Sequence, residues 1–351
     1  MRLTDGLRLA PAILGSRLGV TTPYKLLLVL TDRCNQRCAH CRIWAASPRP
    51  ELTAEEIGRS LRSLPSLRWV DLTGGEIFLR SDISEVFDAV VENVDHLAFL
   101  HFPTNGSDPD RIVAETRRVR GLTSARIVVT VSVDGDEALH DRIRGKRGAF
   151  GKALDTIRTL NALPGIDVFV GTTITPENVD ALASLRTALD RHLPGLRPDQ
   201  WHLNFMTRSK HYFRNTEVAT LSSEEVLDIL PGLDRLRGRP RDAFAWVERF
   251  YLRGLGRFHR RGAPPAPCQA LRASLFVDTS GDIFGCHILD HRVGNLRDAG
   301  YDLPAILSSP PALAERGRIA STPCAGCWTP CEAYHAMLAS PVRAFLRGLL
   351  P

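Results

Sequence analysis

The sequence predicts an α/β chain: a partial (β/α)6 TIM-like barrel followed by a small C-terminal cysteine-rich domain. Three observations predict it. Six apolar runs of strand length alternate with amphipathic stretches between Tyr24 and Met206, the pattern of a parallel sheet with right-handed helical crossovers. The six units end near residue 215, well short of the ~250 residues that a closed eightfold barrel takes. The eight cysteines divide into three between Cys34 and Cys41 and five between Cys268 and Cys331.

The elements follow in order. Strands are expected at Tyr24–Thr31, Arg68–Thr73, Leu97–Phe102, Arg126–Val133, Asp167–Thr173 and Trp201–Met206. A helix starts after Thr53, where Thr53 and Glu56 form a capping box. Further helices are expected near Ser81–Val91, Asp108–Val119, Ala149–Leu160 and Pro176–His192. Ser222 to Gly254 reads as helical, and Pro264, Pro265 and Pro267 mark a boundary. Ser274–Asp278 and Asp282–Cys286 flank Thr279-Ser280-Gly281, a hairpin signal. The expected domains are 1–22, a basic amphipathic segment; 23–215, the barrel; 216–262, a helical linker; 263–335, the cysteine-rich domain; and 336–351, a C-terminal helix. The cysteine-rich part is short and loop-rich, so a metal centre is expected to supply stability that apolar burial does not.

Composition narrows the function. Hydrophobic residues are 44% and charged residues 24% of 351, globular values that exclude disorder and fibrous folds. The net charge is +6, but 41 of the 45 basic residues are Arg and they are dispersed along the chain. That reads as Arg-rich coding, and no nucleic-acid partner is expected. No apolar run reaches the ~18 residues of a membrane span. No secretion signal is read at the N-terminus, so the expected compartment is the cytoplasm, where clustered thiols more often hold metal than pair. Met1–Val20 and Pro341–Leu350 mix Leu, Ile and Phe with Arg. They offer a possible peripheral membrane contact; the other reading is helices docked on the barrel.

Cys34-x3-Cys38-x2-Cys41 follows the first strand directly, at the carboxyl end where parallel α/β folds bind ligands. Three thiolates are one short of a closed four-ligand site and leave a metal position open. Other readings of these residues are a zinc site completed by His40 and structural thiols.

The spacing resembles the signature of the radical S-adenosylmethionine (SAM) superfamily, and further motifs follow in that family's order. They are Thr73-Gly74-Gly75-Glu76, Thr104-Asn105-Gly106, Ser132-Val133-Asp134-Gly135 and the stretch from His140 to Gly145. The resemblance implies that Cys34, Cys38 and Cys41 hold a [4Fe–4S] cluster whose open iron binds SAM. It implies SAM contacts from Gly74, Gly75 and Glu76, with Ile77 standing where the family usually has Pro. Asn105 lies in a turn near SAM, Ser132 and Asp134 are ribose candidates, and Arg142 or Arg144 is the candidate for the SAM carboxylate. His40 stands where relatives carry an aromatic residue beside the adenine.

The tail resembles the SPASM/twitch auxiliary iron–sulfur domain. Cys268, Gly281 and Cys286 match its opening, and Cys324, Cys327 and Cys331 follow. Five cysteines fill one further [4Fe–4S] cluster and not two, which brings the match nearer the single-cluster twitch form. Cys324, Cys327 and Cys331 compete for its remaining places.

The resemblance implies an enzyme that cleaves SAM reductively to a 5′-deoxyadenosyl radical and takes hydrogen from a substrate, with a reducing partner such as flavodoxin or ferredoxin. An auxiliary cluster favours a net oxidation or a bond-forming step. The expected substrate is a small molecule, a sugar or a lipid-linked compound, because only about 23 residues precede the first strand. A peptide-maturation enzyme is the alternative, and a zinc or electron-transfer protein is the non-enzymatic one. Tyr212, His287 and Asp290 are candidates for acid–base work.

Overall fold

A computed structural model describes residues 3–17, 22–47, 49–240, 243–321 and 327–340. Helix α1 (Leu3–Arg17) precedes strand β1 (Lys25–Thr31). The barrel continues with α2 (Ala54–Arg62), β2 (Trp69–Gly74), α3 (Ile83–Asn93), β3 (Phe99–Thr104), α4 (Pro109–Leu122) and β4 (Arg126–Ser132). Then come α5 (Glu137–Arg144), α6 (Ala149–Asn161), β5 (Ile166–Ile174), α7 (Leu182–His192) and β6 (Trp201–Phe205). Two helices follow, α8 (Ser223–Leu236) and α9 (Ala243–Arg261). The tail holds β7 (Ser274–Val277), β8 (Asp282–Phe284), β9 (Arg292–Asn295), α10 (Leu303–Leu307), α11 (Pro310–Ser321) and α12 (Pro330–Ala339).

All six expected barrel strands form, each within two residues of its expected ends, and pair in parallel. Their alternation sorts the side chains. Leu26, Leu28 and Leu30 of β1 face the helices and join Val70, Leu100, Ile127 and Val129 in the main core. Each such burial contributes about 1.5–3 kcal/mol. The opposite positions, among them Lys25, Asp71 and His101, face the lumen. The capping box at α2 forms as expected: Glu56 N donates to Thr53 Oγ1 (3.2 Å) and Thr53 N to the Glu56 carboxylate (2.8 Å).

Helix α5 was not expected. Asp136 caps it by accepting from Leu139 N, and Gly145 ends it in the left-handed region. Those two signals were legible in the sequence.

The tail departs from the expectation of a metal-dependent knob. β7 pairs in parallel with β1, so the sheet runs β6-β5-β4-β3-β2-β1-β7-β8-β9. Leu275, Val277, Ile283, Val293, Leu296, Leu303 and Ile306 belong to the main apolar core. Apolar burial therefore holds much of the tail, because β7 and the elements after it extend the barrel's sheet and its outer layer. α12 runs across the expected boundary at 335/336.

Helix α1 docks on the barrel. Leu9 is buried with Tyr24, Ala98, Phe99 and Ala273, and Arg8 donates to Leu97 O (3.2 Å) and Ser124 Oγ (2.8 Å). The apolar residues read as a membrane-facing surface thus include one that packs at the amino end of β3. Pro341–Leu350 lies outside the described residues. Among those described, no helix is long and apolar enough to cross a membrane.

Candidate functional site

The loop after β1 carries Cys34, Cys38 and Cys41, and its backbone is tied down on three sides. Arg37 N and Ala39 N donate to Arg144 O (2.9 Å) and Ile143 O (2.8 Å) at the end of α5. Gly75 N and Glu76 N donate to Thr31 O (2.8 Å) and Arg33 O (2.9 Å). Arg42 N donates to Phe213 O (2.9 Å). The glycines are needed here for sterics. A Cβ on Gly74 (φ +145°) would lie 2.4 Å from Thr31 O, and one on Gly75 2.1 Å from Arg33 O. The sequence suggested close approach to a ligand; the structure shows close approach to the cysteine loop itself.

The three thiols line one chamber with Gln36, Gly74, Gly75, Asn105 and Arg144. Burial pushes Cys34 up to about 11 and Cys41 up to about 12, and it raises Cys38 as well. A bound cationic centre reverses that preference, since ligation deprotonates thiols. The Arg144 guanidinium already works in this direction, with Nη1 3.7 Å from Cys38 Sγ. The donor set fits an iron–sulfur cluster with SAM. Three thiols line one chamber, and buried polar atoms around them lack protein partners: both side-chain amide atoms of Gln36, His40 Nδ1 and Arg144 Nε. Among the described residues no three His, Cys, Asp or Glu side chains are grouped for a metal ion.

The structure separates the other expected contacts. Arg144 is buried in the chamber wall, whereas Arg142 is exposed. Asp134 is fully buried and committed: Arg144 Nη2 lies 2.8 Å from Oδ2, and Thr173 N donates to Oδ1 (2.9 Å). It orients the arginine. Ser132 lines the chamber. The Glu76 carboxylate accepts from Asn105 N (2.7 Å), Thr104 Oγ1 and Phe78 N, so it shapes the Thr-Asn-Gly turn from behind. Burial pushes Glu76 up to about 7. Asn105 Nδ2 reaches Asn35 Oδ1 (2.9 Å) and Cys34 Sγ (3.9 Å). His40 lines the chamber, and burial lowers it to about 4.

Of the acid–base candidates, Tyr212 and His287 face the chamber and Asp290 does not. The Tyr212 hydroxyl sits 2.8 Å from Thr73 Oγ1, and burial raises its pKa. Burial lowers His287 to about 3. Asp290 pairs with Lys210 (3.2 Å) and His211 (3.6 Å) away from the lumen.

Sequence reading missed the second chamber. It continues the first into the lumen, sharing Asp71, His101, Ser132, Asn204 and Cys331 with it. Asp71 is its hub. Lys25 Nζ lies 2.9 Å from Oδ2, while Trp69 Nε1 (2.6 Å) and His101 Nδ1 (3.2 Å) reach Oδ1. His101 Nε2 is 3.0 Å from Thr130 Oγ1. Burial raises Asp71, but Lys25 and His101 together outweigh it and hold the carboxylate below its usual range. The signal was present: Lys25, Asp71 and His101 are polar residues at inward positions of otherwise apolar strands. Trp69, Phe99, Phe169 and Tyr334 supply apolar walls.

In the tail, Cys268 Sγ accepts from Ala270 N (3.5 Å), and Cys286 Sγ from Ile288 N and Leu289 N (both 3.4 Å). Cys327 and Glu332 are charged neighbours of both. Cys324 lies outside the described residues.

Residues 28–188 match the family model described as the radical SAM superfamily. The chain carries a radical SAM domain. It shares 28% identity over 298 residues with the mycofactocin maturase MftC of Mycolicibacterium smegmatis, across 81% of this chain and 70% of that one. The antilisterial bacteriocin subtilosin biosynthesis protein AlbA of Bacillus subtilis is 29% identical over 162 residues, 45% of this chain and 34% of its own. Among solved structures, native anSMEcpe with bound AdoMet superposes with a TM-score of 0.60 over 93% of this chain and all of that one, at 12% identity. Streptococcus suis SuiB bound to S-adenosylmethionine gives 0.53, covering 82% of this chain and 67% of that chain, at 15% identity. These two establish the shared fold. The radical SAM family uses a [4Fe–4S] cluster and SAM.

Proposed function

We propose that the chain is a peptide-maturation enzyme, with Cys34, Cys38 and Cys41 holding the SAM-binding cluster and Arg144 at the SAM carboxylate. The observation that carries this reading is the similarity to MftC, which covers 81% of this chain. It favours a peptide over the small-molecule, sugar or lipid-linked substrate expected at first. The shape of the site supports it. The lower chamber holds about 250 Å³, below the ~300–1,000 Å³ of pockets that take a drug-sized ligand and suited to one side chain. A groove beside α9 and Trp328 shares Asn204 to Thr207 with the upper chamber and gives an extended chain a way out.

A cluster held by Cys34, Cys38 and Cys41 with SAM bound to it would supply one-electron chemistry for abstracting hydrogen from a substrate C–H bond. This chain's residues do the rest. Arg144, held by Asp134, fixes the charged end of the cofactor. Trp69, Phe99 and Tyr334 exclude water around the reacting side chain. The Lys25–Asp71–His101 network keeps His101 in one tautomer, with Nδ1–H donating to Asp71 and Nε2 toward Thr130 and the lumen.

A second reading has one specific support. The AdoMet-dependent heme synthase of Methanosarcina barkeri is 25% identical over 287 residues, 78% of this chain and 79% of its own. One assay separates the two. The reconstituted, reduced protein is incubated with SAM and synthetic peptides encoded beside its gene, or with a carboxylated porphyrin. A peptide mass change matched by 5′-deoxyadenosine is expected. Turnover of the porphyrin with unmodified peptides would reverse the assignment.

A further inference from the structure

The described cysteines of the tail do not share one environment. Cys268 and Cys286 each have Cys327 and Glu332 as charged neighbours, and their sulfurs accept backbone N–H groups. Such bonds favour a thiolate. Cys331 is placed differently. It lines both lumen chambers. Its leading charged neighbours are Lys25 and Asp71, with Glu332 and Cys327 after them, and its carbonyl accepts from Lys25 Nζ (3.2 Å).

Helix geometry explains the separation. Successive residues on α12 diverge by about 100°. Glu332 turns toward β7, where its carboxylate accepts from Ser274 Oγ (2.7 Å). Cys331, one position earlier, is thereby turned to the lumen. A second observation points to a ligand in the same place. His287 is only 5% exposed and lines the upper chamber with Cys331, yet its Nδ1 has no protein partner. A buried donor or acceptor of this kind is rarely left unsatisfied.

We propose that Cys331 is an unligated thiol facing the substrate chamber, and that the auxiliary cluster takes its described ligands from Cys268, Cys286 and Cys327. This rests on the two-cluster reading of the chain. It assigns a soft thiol contact to the chamber wall, beside the Lys25–Asp71–His101 network.

Iron counting and alkylation test it without an identified substrate. The parent, reconstituted anaerobically, should carry about eight irons per chain, C331A the same, and C327A about four fewer. Iodoacetamide on the loaded parent, followed by peptide mass mapping, should label Cys331 and leave Cys268, Cys286 and Cys327 unlabelled. Loss of about four irons in C331A would overturn the assignment. So would labelling of Cys331 only after a chelator strips the iron. Should C331A misfold, labelling of the parent decides alone. A parent with about four irons and all four thiols labelled would overturn the two-cluster reading, and this assignment with it.

Discussion

Gly75 shows how a residue without a side chain controls the cluster loop. A Cβ there would overlap the Arg33 carbonyl, so Gly75→Ala has to push the Cys34 segment away from β2. Overpacking of this kind costs about 1–3 kcal/mol. We expect G75A to lower both the thermal midpoint and the iron bound at the first cluster, measured by calorimetry and iron assay. Unchanged iron content would show that the loop tolerates the shift. Asp134 and Arg144 form a buried pair whose members are unequal in use: one faces the chamber, the other holds it. Asp134→Asn leaves the buried guanidinium uncompensated, at a cost of about 3–5 kcal/mol. Denaturant unfolding checks the loss, and a weakened SAM affinity by calorimetric titration should accompany it.

Elements are set by faces. On β3, Phe102 packs against Phe78 and Phe87 on the helix side, with ring centroids 5.8 and 5.2 Å away, while His101 looks into the lumen. Phe102→Ala should cost about 3–5 kcal/mol in urea unfolding and leave the lumen network in place. The lumen pair behaves differently. Removing Lys25 alone strands Asp71 in a buried site, whereas Lys25→Met with Asp71→Leu removes both charges. The double variant should therefore be more stable than Lys25→Met alone, a comparison that a double-mutant cycle measures. The same alternation that made the strands legible marked Lys25, Asp71 and His101 as inward-facing. Their meeting across three strands depends on register, which a single strand's pattern does not contain. Helix α5 was missed for a related reason: its tie to the cluster loop through the Ile143 and Arg144 carbonyls is a long-range contact.

At the scale of the molecule, the tail and the barrel share one sheet and one core. Glu56 joins them: its carboxylate accepts from Arg297 Nε (2.6 Å) and Nη2 (2.9 Å) and from Tyr301 Oη (2.7 Å), while it also closes the α2 cap. The Arg297 hydrogen bonds pull Glu56 down to about 2. A depressed acid adds stability that is fully present above its unfolded pKa of about 4.3 and is lost as pH falls toward 2. Glu56→Gln should cost about 1–2 kcal/mol near neutrality, and the gap to the parent should close between about pH 4 and pH 2. Unfolding of both proteins at matched pH values measures it; a gap independent of pH would assign the loss to packing.

The six barrel strands, the α2 cap, the two cysteine groups and the family of the chemistry were legible in the sequence. Each of these is written in local spacing: alternation for strands, a four-residue box for a cap, C-x3-C-x2-C for a cluster. Only the tertiary structure decided that Arg144 and not Arg142 enters the chamber, that Asp134 and Glu76 serve as supports, and that β7 continues the barrel sheet. It also placed Cys331 in the lumen wall beside Lys25. Those outcomes depend on which elements pack together and in which register, and the free energy of that packing is shared among residues as far apart as 25 and 331.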